Sequence, residues 1–66
     1  MFEKIWFKEM LDREIEEVKG TIRNQELWVL GSNQDTAELL QENLSHLYSY
    51  LNMLVTKSNK LKEELL

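Results

Sequence analysis

Between Phe2 and Leu30 the apolar residues Phe7, Leu11, Ile15, Val18, Ile22 and Val29 recur three and four positions apart, with Gln25 filling the one gap. That spacing lines up side chains along a single face of an α-helix. A second and more regular series begins at Ala37 and continues through Leu40, Leu44, Leu47, Leu51, Leu54, Ser58, Leu61 and Leu65. Its strict alternation of threes and fours is the seam of a coiled coil, and Ser58 alone interrupts the apolar run.

The segment between the two series carries the punctuation expected between helices. Gly31 can adopt the left-handed conformation that commonly ends a helix. Ser32, Asn33 and Asp35 can each accept a hydrogen bond from the next helix N-terminus, and Asp35 with Glu38 resembles a capping box. Proline is absent from the chain. The pattern therefore predicts an all-α fold with one domain over residues 1–66. Helix 1 covers about 2–30, a loop about 31–34 and helix 2 about 35–65.

Folding the two helices antiparallel opposes Ile22 to Leu44, Ile15 to Leu51, and Leu11 to Leu54 or Val55. Phe7 falls near Ser58, where a large ring is expected to fill the space a small residue leaves, as close packing requires. Gly20 faces outward in the same register and costs helix 1 roughly 1 kcal/mol relative to alanine.

What the seam leaves over is unevenly distributed. Residues Asn43 to Thr56 contain no charged side chain, although 30% of the whole chain is charged. Helix 1 at the opposing level reads Asp12-Arg13-Glu14-Ile15-Glu16-Glu17, a charged surface around one apolar stripe. Tyrosine and methionine without charges are enriched at the centres of interfaces. Helix 2 is thus expected to be the inner element of a homodimer in which two hairpins form a four-helix bundle. The residues expected to mediate self-association are Leu44, Leu47, Tyr48, Tyr50, Leu51, Met53, Leu54 and Val55. A second contact patch, formed by Phe2, Ile5, Trp6, Met10 and Trp28, departs from the helix 1 stripe and holds both tryptophans.

Size strengthens the case for association. A chain of 66 residues hides only about 60% of the surface its unfolded form exposes. Such chains rely on disulfides, a metal, oligomerisation or very regular packing. There is no cysteine and only one histidine, His46, so neither a disulfide nor a metal is expected, and no cofactor is called for. The net charge of −4 opposes nucleic-acid binding, which depends on displacing phosphate counterions with Lys and Arg. Lys57, Lys60 and Lys62 are followed at once by Glu63 and Glu64 and read as a solvated helix end. No apolar run is long enough to span a bilayer. The first ten residues break their apolar positions with charge, unlike a signal peptide. The expected setting is the cytoplasm, away from membranes.

Glu42, His46 and Tyr50 stand at i, i+4 and i+8 along one helix face and form the one arrangement with chemical potential. Without a nucleophile or oxyanion donors beside them they are expected to make ordinary polar contacts. No Gly-rich phosphate loop, HExxH sequence or EF-hand loop is present.

The segment from Gly31-Ser32-Asn33 through Leu40, Leu44 and Leu47 resembles the loop and second helix of the Spo0E-type aspartyl-phosphate phosphatases of sporulating bacteria, which are small helical hairpins. Their Ser-Gln-Glu-Leu-Asp signature falls on Gln41-Glu42-Asn43-Leu44-Ser45, where only the leucine agrees and a serine replaces the terminal acid. The match carries the architecture. The activity it implies, hydrolysis of a response regulator's aspartyl-phosphate with Glu42 or His46 carrying the chemistry, is the alternative to the main expectation. That expectation is a small acidic, non-catalytic protein–protein interaction module, an adaptor, regulator or inhibitor, acting as a homodimer. A third possibility is a helical subunit that folds on a heterologous protein partner.

Overall fold

The computed structural model describes residues 2–66, with side chains described for residues 3–66. Two helices, α1 (Phe2–Gly31) and α2 (Gln34–Leu65), account for nearly the whole of it. They pack lengthwise against each other as an antiparallel hairpin measuring 49 × 14 × 14 Å. Three side-chain hydrogen bonds fix the register from the hinge towards the termini. They join Asn43 to Gln25, Tyr50 to Glu14 and Ser58 to Asp12.

The hinge is tighter than the sequence suggests. α1 continues through Gly31, and no described glycine has a positive φ. The end of α1 is instead closed by Ser32, whose backbone N–H donates to the Val29 carbonyl at 3.3 Å. Its hydroxyl donates to the Trp28 carbonyl at 2.5 Å. With the serine satisfying carbonyls that a helix end leaves free, a left-handed glycine is unnecessary. Asn33 caps α2 from extended backbone, its side chain accepting from the Thr36 N–H at 2.9 Å. That places the cap two residues before Asp35, so the expected Asp35 and Glu38 capping box does not form. Asp35 lies in the first turn, where a carboxylate favours the positive end of the helix dipole.

The core is a single file of apolar side chains. Leu11, Ile15, Val18 and Ile22 from α1 are buried with Leu44 and Leu54 from α2. Val29, Leu47, Leu51, Val55 and Leu61 pack against them half-buried. Burying a side chain of this size contributes about 1.5–3 kcal/mol. Two helices cannot enclose one another, however, and no large side chain among the described residues is completely sealed from solvent.

Ser58, the break in the leucine series, is met by a polar partner. Ser58 is buried at 6% exposure, while Phe7 stays 46% exposed. The gap in the leucine series is occupied by polar contact: the Ser58 hydroxyl donates to Asp12 Oδ1 at 2.6 Å.

Candidate contact surfaces

Position two residues apart on an α-helix and side chains diverge by about 200°. Tyr48 and Tyr50 consequently leave the seam on opposite flanks of the hairpin. The Tyr48 hydroxyl donates to Glu26 Oε1 at 2.6 Å, and the Tyr50 hydroxyl donates to Glu14 Oε1 at 3.3 Å. Asn43 Nδ2 donates to Gln25 Oε1 at 2.7 Å. Part of the uncharged stretch of α2 is thus matched to polar groups of α1: phenols and an amide meet carboxylates and an amide across the helix pair. The phenol rings remain half in solvent.

These contacts act on the phenols. The hydrogen bond to Glu26 is the main cause holding the Tyr48 phenol above its usual range, with desolvation and the carboxylate's charge adding to it. For Tyr50 desolvation leads, followed by the charge of Glu14 and the hydrogen bond to it. Both effects favour the neutral, donating phenol.

Asp12 is the hub of the other polar cluster. Its Oδ2 accepts from Lys8 Nζ at 2.7 Å while Oδ1 accepts from Ser58. Lys8 foremost, then Ser58, hold its carboxyl below the usual aspartate range, against a smaller opposing effect of desolvation. An intrahelical ion pair and an interhelical hydrogen bond share one carboxylate. Lys4 and Glu64, 3.4 Å apart, make a further ion pair between the helices near the chain ends.

The residues expected to mediate self-association divide into two groups. Leu44 and Leu54 are buried in the hairpin's own core, with Leu47, Leu51 and Val55 packed beside them. Tyr48, Tyr50 and Met53 are exposed. Of the second patch, Ile5, Trp6, Met10 and Trp28 are all exposed, the tryptophans at 56% and 64%. Phe2 lies outside the described side chains. Trp6 and Phe7 line a surface hollow with Glu3, Lys4 and Leu61 at the end where the termini meet.

Three further exposed apolar residues, Leu27, Leu30 and Leu39, surround the hinge. They were absent from both expected patches, although their positions off the 3,4 series made them visible once the seam was subtracted. Glu42 and His46 are exposed. Among the described residues no cluster of three or more His, Cys, Asp or Glu side chains could hold a metal ion, and no helix is long and apolar enough to cross a membrane.

No family model, curated protein or solved structure matches the chain.

Proposed function

We propose that this chain is a small non-catalytic protein–protein interaction module, an adaptor, regulator or inhibitor, that works as a homodimer in the cytoplasm. The observation that carries the reading is the imbalance between what the hairpin buries and what it leaves out. Among the described side chains its buried apolar core consists of six, while both tryptophans, Met10, Met53, both tyrosines and several leucines stay exposed. Exposed apolar residues grouped at each end, such as Ile5, Trp6 and Phe7, mark interaction sites on a small protein, and tryptophan and tyrosine are the residues on which binding energy concentrates. A second hairpin would cover this surface and complete a four-helix bundle, giving the core a thickness that two helices alone do not reach.

Sedimentation equilibrium on the wild type and on Met53→Glu tests this. Met53 is exposed and takes no part in the hairpin's hydrogen bonds, so a carboxylate there leaves the monomer fold intact and is buried only on association. The expected result is a wild-type dimer whose dissociation constant rises at least tenfold in the variant, since burying an unpaired charge is strongly unfavourable. A wild type that stays monomeric and fully helical at high concentration would sink the proposal. Helicity that appears only on adding another protein would favour the heterologous subunit instead.

A further inference from the structure

The two flanks of the hairpin differ in how they divide aromatic residues and ion pairs. On α1, Met10 and Trp28 are eighteen residues apart, five whole turns at about 3.6 residues per turn. They therefore share one line along the helix. Trp6 lies one turn before Met10, and Glu14 one turn after it. On α2, Leu39 and Tyr50 are eleven residues apart, about three turns, with Met53 one turn beyond. The hydrogen bond from Tyr50 to Glu14 ties these two lines to the same side of the hairpin. That flank carries Trp6, Met10, Trp28, Leu39, Tyr50 and Met53, all of them exposed. The opposite flank, marked by the bond between Tyr48 and Glu26, carries the Lys8–Asp12 and Lys19–Glu16 ion pairs and Arg23, with exposed Leu27 and Leu30 one turn beyond Arg23 and Glu26 at the hinge end.

We infer that two copies pair side by side through the Tyr50 flank with their hinges at the same end, so that α1 of each copy lies along α2 of the other. The inference rests on the homodimer reading above. Area selects lengthwise pairing. One side of this rod is about a quarter of its 5341 Å² surface, more than the roughly 800 Å² that each partner contributes to a stable interface. An end of the rod, 14 Å across, is far too small.

Charge selects the direction. If the hinges pointed opposite ways, α1 would lie against α1, and matching Trp6 to the partner's Trp28 would centre the twofold on Glu17. Glu14 and Glu17 of both copies would then converge on the axis, four carboxylates crowded together against only the two Arg13 side chains one turn away. With hinges together, those carboxylates lie against the uncharged stretch that contains the partner's His46, the partner's Tyr50 and the partner's Met53. Trp28 meets the partner's Leu39, and an apolar cluster closes over both hinges.

The chain has no cysteine, so a single spin label at Gln34→Cys reports on the hinge alone, and sedimentation equilibrium on the labelled protein reports its mass. Hinge-together pairing predicts a dimer with label separations within about 25 Å, given interhelix spacings of about 10 Å. A dimer whose labels lie near the 49 Å length of the rod would overturn this arrangement while leaving the homodimer standing. A monomer would overturn both. The flank is tested by charge placement. Met10→Glu should weaken the dimer at least tenfold, and Asn52→Glu, one turn from Tyr48 on the charged flank, should leave it unchanged. Equal loss in both variants, or loss only in Asn52→Glu, would place the contact elsewhere.

Discussion

The middle of the hairpin and its two ends use apolar residues in opposite ways. From Leu11 to Ile22, and from Leu44 to Leu54, the buried side chains are those on the 3,4 series, and the side chains between them are mostly charged on α1 or uncharged and polar on α2. At the termini and around the hinge, apolar residues occur on several faces. Ile5, Trp6 and Phe7 are consecutive and all exposed, as are Leu27 and Trp28. Three consecutive helical residues span about 200° of the helix circumference, so one neighbouring helix cannot cover them. The middle is specified for two helices, whereas the ends carry more apolar surface than two helices can bury.

The largest expected effect that sharpens this contrast is in the middle. Leu54→Ala removes a buried side chain and should lower unfolding free energy by about 2–5 kcal/mol. That is a large share of the roughly 3–10 kcal/mol expected for a chain of this length. Leu30→Ala, at a hinge position 84% exposed, should change it by less than about 0.5 kcal/mol. Urea unfolding followed by circular dichroism, at one protein concentration for both variants, reads the difference. Equal losses would show that the ends are as well packed as the middle.

A smaller effect concerns the polar joint where the leucine series is broken. Ser58→Ala removes the donor to Asp12 and should cost about 1 kcal/mol, below the roughly 1.5–3 kcal/mol typical of hydrogen bonds to charged groups, because the carboxylate remains half in water. The pH dependence has a definite sign. Because Lys8 and Ser58 depress the Asp12 pKa in the folded chain, the stabilisation is present above the unfolded aspartate pKa of about 3.9. It is lost as pH falls through the lower folded value. The difference between wild type and Ser58→Ala should therefore shrink on acidification below about pH 4. A gap that stayed constant to pH 2 would mean that the hydrogen bond does not depend on the charged carboxylate.

The smallest effect runs the other way. A methyl group at Gly20 meets nothing within 4 Å, and the residue is in the body of α1. Gly20→Ala should raise stability by up to about 1 kcal/mol. A loss in thermal unfolding would reveal a close approach by another molecule at this face of α1.

The elements legible in the amino-acid pattern are those governed by periodicity. The 3,4 spacing of Leu11, Ile15, Val18 and Ile22, and of Leu44 and Leu54, marks which side chains are buried, because burial follows from helix geometry and one partner direction. The features that were not legible depend on position at the scale of a single bond. Whether Asp12 comes within hydrogen-bond reach of Ser58 is decided by a fraction of a turn in the relative rotation of the helices. Gly31 illustrates competition instead: its capacity for a left-handed conformation is real, but the Ser32 hydroxyl satisfies a carbonyl of the last turn and α1 ends without it. Of the expected contact residues, the leucines follow the seam, while the division of Tyr48 from Tyr50 could have been read from their spacing alone.

The elongation of the hairpin has a hydrodynamic consequence. A compact chain of this length has a radius of gyration of about 11 Å, against 15.1 Å here. A monomer of 7.9 kDa with that shape drags more solvent than its mass implies, and its retention on a sizing column would imitate a larger globular particle. Lateral pairing doubles the mass without lengthening the rod, so a dimer has the smaller frictional ratio. Assembly would thus move elution volume only slightly while raising the sedimentation coefficient steeply, and the disagreement between the two measurements becomes a signature of side-by-side association.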